Sequence, residues 1–569
     1  MASNIASSVG IRTATPSPIP RRASGPHNQE QDKTSTGSWL CSDGPYREYI
    51  ETLSNFNPGL RKPDPNNEKN PLKTDNALVV LLEAPARGDP KFTKQEFHPA
   101  TKLVEHFATS KAEFGGLEHD RYRIYIMEGL APNYVAAIGE HFFMEPTFFQ
   151  RQERTCVWSN DFTPVSDALP HPSLLDPETN FHLQYCELRR FNKALENRYY
   201  FCQRTGRHVG MTAARKKEDT TTGIMRRKVG WWCRETTEGG WDVVILCDPP
   251  LEHLSPTPME VVGNALRDIQ DINTLRNEPF QEGYSDFLPP VPHDQTPSNK
   301  KHPYKSMLRD LVYYYQHRSG MVSDVEWKDP NASTIFLKKI VAAHTLQLVD
   351  YIKVMLPSLE VSLTNWADEQ DQWKSLQTIS RRCGNYRDDM EDTLLSLGYS
   401  LSGKPDKTIL KRSERWKDCE KDFQYAYFRL KILKERADNL GSALTGLASL
   451  AGNRQNLDEA KRVKRLNILA LLFIPLAYTS SLFSMQDNYA PNKGEFWVYW
   501  VSAIGVVGFT AAVTWILDSA LNDKAEWNFE SFRHLMFWKH KHKQQPQPGA
   551  MDRKGTGIYL EKALRRMTP

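Results

Sequence analysis

The sequence predicts a cytosolic α/β domain, then long stalk helices, then a two-helix transmembrane hairpin. Three observations carry this. Two long uncharged runs lie near the C-terminus, strand-length apolar segments lie between about 75 and 260, and apolar residues recur at helical spacing after position 303.

The uncharged runs decide the class. Leu466 to Met485 is 20 residues without a charge, and Phe496 to Leu517 is 22. At ~1.5 Å per residue, about 20 helical residues cross a ~30 Å hydrocarbon layer, and a helix satisfies its own backbone where water is absent. Residues 486–495 form a short outer loop, so the two runs make a hairpin. Lys461, Arg462, Lys464 and Arg465 precede the first run, while the loop carries Lys493 alone. The positive-inside rule then places both termini in the cytosol or matrix. Trp497, Tyr499 and Trp500 open the second run as an interfacial aromatic belt would.

Composition narrows the rest. With 569 residues, 25% of them charged, and a mean hydropathy of −0.59, most of the mass lies outside a bilayer. Lys and Arg number 73 against 69 Asp and Glu, a balance that offers no electrostatic footprint for nucleic acid. Eight cysteines with no C-x-x-C read as free thiols in a reducing compartment.

Residues 1–74 are rich in Ser, Pro, Asn and Gly and are expected to be disordered, with local order around Tyr46 to Leu60. The first 29 residues lack Asp and Glu and carry Arg12, Arg21 and Arg22, the composition of a mitochondrial transit peptide. Pro16, Pro18 and Pro20 would break the helix such a peptide needs, which favours a plain tail.

An α/β domain is expected over 75–280. Its strand candidates are Ala77–Leu82, Tyr122–Met127, Phe181–Leu188 and Tyr199–Cys202, with a short helix at Pro132–His141. Its clearest hairpin sets Lys228–Arg234 against Trp241–Cys247 around Gly239-Gly240. It holds no Gly-rich phosphate loop, no G-x-S-x-G and no metal-spaced His/Asp set, so no enzyme, cofactor or metal-ligand assignment is made.

A Pro-rich linker follows at 281–303, then a helical stalk region at 304–465, with helices at Tyr304–Ser319, Ala332–Met355 and Ser358–Arg381. Pro357 is expected to divide the last two. Phe423, Ala426, Leu430, Leu433, Ala437, Leu440, Leu444, Leu447 and Ala451 alternate steps of three and four. Such a seam is either an intramolecular core stripe or an oligomer contact; its direct run into a membrane span favours an oligomeric stalk. No proline interrupts Lys407 to Ile474, so one helix is expected there. Residues 518–569 form a basic cytosolic tail, where Lys539 to Lys543 suit anionic lipid head groups.

A long cytosolic helix entering a first span, a short outer loop, a second span and a basic tail together resemble the CorA family of magnesium transport proteins. The likeness is densest at Phe473-Ile474-Pro475-Leu476, similar to the family's F-[IM]-P-L turn, and at Ser484-Met485-Gln486, where the family has Gly-Met-Asn. The match covers about 55 residues, and it looks closest to the divergent CorA-like proteins of filamentous fungi. The resemblance implies a homopentamer whose first spans line a central pore. Carried over position by position, the pore face is Leu466, Ala470, Ile474, Ala477, Ser481 and Ser484. Ser484, Met485 and Gln486 become the selectivity motif, and Asp487 and Glu495 the acidic residues of the outer loop.

These positions step by four, four, three, four and three, one face of a helix. Leu466, Ala470 and Ile474 would form an apolar constriction that gates by dewetting, while Ser481 and Ser484 present hydroxyls. Gln486 keeps the carboxamide of the family's Asn but adds a methylene. The resemblance thus implies transport of magnesium or another divalent cation. The expected location is the plasma membrane, with the mitochondrial inner membrane as alternative. A non-conducting sensor or scaffold anchored in the membrane is the competing reading, favoured by the altered motif.

Overall fold

The computed structural model describes residues 39–64, 77–86, 90–114, 119–154, 176–192, 195, 199–202, 204–205, 207–211, 220–251, 254–256, 277–289, 306–362, 369–401, 414–484 and 494–520. The chain divides into two compact units, residues 1–444 and 445–569.

In the first unit, helix α1 (Pro45–Leu53) precedes strands β1 (Leu78–Pro85) and β2 (Thr93–Phe97), helix α2 (Ala100–Phe114) and β3 (Arg121–Glu128). Helices α3 (Pro132–Phe142) and α4 (Pro146–Glu153) follow, then β4 (Asn180–Phe191), β5 (Tyr199–Cys202), β6 (His208–Met211), β7 (Thr221–Glu235), β8 (Trp241–Cys247), β9 (Leu254–Pro256) and β10 (Asn277–Pro279). Three helices complete the unit up to residue 401: α5 (Met307–Arg318), α6 (Thr334–Ser362) and α7 (Glu369–Ser396).

Ten strands form one sheet in the order β2-β1-β3-β8-β7-β6-β5-β9, with β4 pairing β7 and β10. Among the described residues only β3 and β8 run parallel; the other pairings are antiparallel. The long strand β7 makes the sheet curl. It pairs with β4 from Trp232 to Thr221, with β8 through Val229 to Glu235, and with β6 through Gly223 to Met225.

The central strands carry apolar residues on both faces because both faces are covered. Successive side chains point to opposite faces, so each strand feeds two cores. Val80, Leu82, Ile124, Ile126, Val243 and Ile245 join the core under α5, α6 and α7. Val79, Leu81, Tyr125, Met127, Val244 and Leu246 join the core under α1, α2 and α3. The hairpin tryptophans are buried with their indole N–H groups bonded: Trp231 donates to Ser333 Oγ at 2.9 Å and Trp241 to the Trp327 carbonyl at 2.8 Å.

Three expectations need correction. Residues 39–64 are packed, against the expectation of disorder with local order only over Tyr46 to Leu60. Leu40, Tyr46 and Ile50 are buried in the second core, and the Tyr46 hydroxyl donates to the Met144 carbonyl at 2.8 Å. Polar composition hid a few large anchors, and anchors fasten a segment. Pro357 lies inside α6 and divides nothing; it is exposed, so its ring meets solvent where the helix continues. Residues 281–288 belong to the packed fold, since buried Tyr284 donates to Asp310 at 3.1 Å. Residues 1–38 and residues 521–569 of the basic tail lie outside the described residues, while 518–520 continue the last helix.

Ionic groups within the sheet are paired. Glu187 accepts from Arg227 Nε at 2.8 Å and lies 2.6 Å from Arg189 Nε. Burial by itself would push the Glu187 carboxyl up, but Arg189 and Arg227 more than offset it and hold it at about 2. Asp248 accepts from Arg207 through both oxygens, at 2.9 and 3.0 Å, and from the Lys228 backbone at 2.9 Å.

Two outcomes follow. A carboxyl held below the usual ~4.3 stabilises the fold fully above that value, and the contribution drains as pH falls towards 2. Glu187→Gln should therefore cost about 3 kcal/mol at pH 7, in denaturant unfolding followed by tryptophan fluorescence, and the gap should shrink below pH 4. Gly139 sits against the Tyr46 ring, where an added Cβ would lie 2.2 Å from Cε1. Gly139→Ala should displace α1, costing about 2 kcal/mol and speeding tryptic cleavage within residues 39–64.

Candidate membrane-spanning site

Helix α8 (Cys419–Phe483) starts where Asp418 caps it, accepting from the Lys421 N–H at 3.0 Å. Glu420 and Asp422 add negative charge to its first turn, which the helix dipole favours. It does not reach back to Lys407, because Arg415–Lys417 is a separate short turn and Asp418 leaves helical geometry with ψ at 87°.

The seam along α8 answers the question the sequence left open. Phe423, Ala426, Leu430, Leu433, Ala437 and Leu444 are buried, and the first five belong to the core shared with α5, α6 and α7. Up to Leu444 the stripe is an intramolecular core, so the expectation of an oligomeric seam is corrected there. Folding its own helices against the stripe buries it without a second chain.

In the second unit, the helix from Thr445 to Lys464 exposes polar residues together with Leu447, Leu450, Leu457 and Val463, and then turns apolar on every side. Helix α9 (Phe496–Ala520) is apolar all round as well. Both helices are long and apolar enough to cross a membrane, by length and composition. Their large side chains are not hidden within the chain: Ile474 is 68% exposed, Phe509 71% and Trp515 59%. Apolar surface on this scale suits lipid or other copies, not water.

The hairpin packs through one stripe. Pro475 and Thr479 are buried, Phe483 meets Tyr499 edge-on with ring centroids 5.8 Å apart, and Ala503 of α9 is fully buried. Pro475, Thr479 and Phe483 are spaced by four. At ~100° per residue this stripe lies roughly half a turn from Leu466, Ala470, Ile474, Ala477, Ser481 and Ser484. All six of those residues are exposed. The first five stand on the helix, and Ser484 lies in the turn that ends it.

Hydroxyl groups within the apolar segments bond to their own helix, as a medium without water requires. Thr479 Oγ1 donates to the Leu476 carbonyl at 3.0 Å, Ser502 to Val498 at 2.8 Å and Thr514 to Thr510 at 2.8 Å. Thr479 thus serves Leu476 and not the Leu471 carbonyl that Pro475 leaves without its N–H.

Met485, Gln486 and Asp487 lie outside the described residues; Glu495 is exposed just before α9. The stalk acids Asp438 and Asp458 are occupied locally, Asp438 by Ser380 and Lys434, and Asp458 by Lys461 at 3.0 Å. Among the described residues, no group of three or more His, Cys, Asp or Glu is placed to hold a metal ion.

Sequence reasoning missed β2, α2 and the charged centre of the sheet. The signals for the last were Glu187 and Arg189 at alternate positions of one strand and the run Arg226-Arg227-Lys228 in another.

No protein-family model and no curated protein matches the sequence. Among solved structures, the full-length CmaX protein is similar with a TM-score of 0.34 and 13% identity, over 78% of this chain and 99% of that one. The CorA magnesium transporter from Methanocaldococcus jannaschii is similar with a TM-score of 0.33 and 9% identity, over 76% and 96%.

The hairpin packing yields an expected outcome. Ala503→Leu should lower the melting temperature of the detergent-solubilised chain, costing about 1–3 kcal/mol, because no room exists beside Ala503. Ala511→Leu, at an exposed position on the same helix, should leave it unchanged.

Proposed function

We propose that the chain is a membrane channel or transporter for divalent cations of the CorA type, with the first apolar helix of each copy lining a shared pore. The observation that carries this reading is the division of faces on α8. The hairpin uses Pro475, Thr479 and Phe483, which leaves the face of Leu466, Ala470, Ile474, Ala477, Ser481 and Ser484 available to other copies. The F-[IM]-P-L and Gly-Met-Asn likenesses support the same face.

The chemistry is permeation without covalent steps. Ser484, Met485 and Gln486 form the entry, where carboxamide oxygens would meet a hydrated cation; magnesium, the family's ion, sheds water reluctantly. Asp487 and Glu495 against Lys493 leave each loop with a net charge of −1, which draws cations towards the mouth. Ile474, Ala470 and Leu466 form the apolar gate. A homopentamer with both termini in the cytosol follows from the same reading, in the plasma membrane, with the mitochondrial inner membrane as alternative. A sensor or scaffold that does not conduct is the second reading, favoured by the large cavity in the first unit described below.

Uptake of magnesium by cells lacking their own transporters tests the proposal. Wild type should restore uptake, Gln486→Ala should reduce it, and Ile474→Asp should make flux leaky by wetting the constriction. Identical null uptake for all three, with correct membrane insertion, would sink the channel reading in favour of the scaffold. Crosslinking and mass measurement in detergent should give five copies.

A further inference from the structure

The first unit contains a cleft of about 760 Å³ whose lining belongs to α6, the 280–287 turn, the start of β7 and the turn that leads into α8. Its volume falls in the range of small-molecule sites, ~300–1,000 Å³.

The walls are built and held. Ala342, Ala343 and Leu346 of α6 contribute small and apolar surface. Facing elements supply Phe280 and Trp416, and α6 supplies Tyr351. Phe280 stands edge-on to Tyr351 at 5.3 Å, and Trp416 lies near-parallel to buried Phe336 at 6.0 Å. The turn that presents Phe280 contains two non-glycine residues in the left-handed region, Gln281 at φ 51° and Glu282 at φ 65°. Such backbone costs about 1 kcal/mol or more per residue and persists where surroundings over-determine it. Gln347 does so here, donating its carboxamide N–H groups to the Phe280 carbonyl at 2.9 Å and the Gly283 carbonyl at 2.8 Å.

Charge selects the ligand. The lining has three carboxylates, Asp286, Asp350 and Asp422, and two bases, Lys339 and Arg415. Lys339 is already committed to Asp422 at 2.5 Å and to the Asp418 carbonyl at 3.0 Å. Asp286 accepts from the Leu288 N–H at 3.1 Å and the Tyr314 hydroxyl at 3.3 Å. Asp350 and Arg415 are exposed, and neither side chain has a hydrogen-bond or ion-pair partner among the described residues. The net lining charge is −1, which repels a polyphosphate.

We propose that this cleft binds an organic cation: an amine carried on a flat apolar body. The ammonium sits at Asp350, next to the rings of Phe280 and Tyr351 that favour a cation. The flat body lies along the lining towards Trp416, whose ring already faces the Lys417 ammonium at 6.0 Å, and Arg415 can donate to an acceptor on the same ligand. Trp416 and Asp422 flank the start of α8, so an occupant touches the root of the helix that later becomes apolar.

Dansylcadaverine, a naphthalene sulfonamide with a terminal primary amine, is a suitable probe because its fluorescence shifts to the blue in an apolar site. Titrated into the full chain in detergent, it should bind saturably above the micelle background. Asp350→Asn should weaken binding about tenfold, as loss of a charged hydrogen-bond partner does, at an unchanged melting temperature. The N-acetylated probe should bind about tenfold more weakly than the amine to wild type, and ATP should not displace the amine. Equal binding by Asp350→Asn or by the acetylated probe, displacement by ATP, or no saturable signal would each overturn the proposal. The readout involves no ion flux, so its failure is distinct from failure of the transport reading.

Discussion

A helix that is apolar on one stripe can live in water if something covers the stripe; a helix that is apolar all round cannot. Helix α8 is both in turn, and the rest of the molecule depends on where the change occurs. Through Leu444 its apolar residues recur on one side and disappear into the core of the first unit. Exposed polar residues, with exposed Leu447, Leu450, Leu457 and Val463 among them, follow to Lys464, and beyond them large side chains are exposed except along the stripe of Pro475, Thr479 and Phe483. The first stretch requires a folded partner from its own chain. The last is long and apolar enough to cross a membrane.

The same constraint shapes the α/β unit. A sheet covered on both faces has no water to solvate an ion, so each charge within it needs a partner. Glu187 has Arg189 and Arg227; Asp248 has Arg207, the Lys228 backbone and Gln152. These pairs join strands and loops far apart in sequence, and they pin α4 to the sheet through Gln152. Charged residues that would be surface decoration on an exposed strand become fixed points of the fold.

Much of this was legible in advance. The strand at Ala77–Leu82 and the Lys228–Cys247 hairpin stand out because local pattern and final environment agree, and the two apolar runs because no charge interrupts them. β2 did not stand out, since Thr93–Phe97 is an edge strand with four exposed residues and its register is set by β1. The packed segment 39–64 was hidden for a related reason. Its composition is that of a tail, and the Tyr46 site exists only once Gly139 and Met144 are brought together by α3.

Local chemistry by itself determined that two helices are apolar enough to cross a membrane, that basic residues flank the first, and that Leu466 through Ser484 share one face, because hydropathy and helical period are properties of neighbours along the chain. The tertiary structure alone decided that the seam from Phe423 to Leu444 is internal, that the hairpin contact falls on Pro475, Thr479 and Phe483, and that Asp350 shares a cleft with Phe280 and Trp416. A periodic pattern says which side of a helix is apolar. What that side touches depends on elements tens or hundreds of residues away, which only the folded chain brings together.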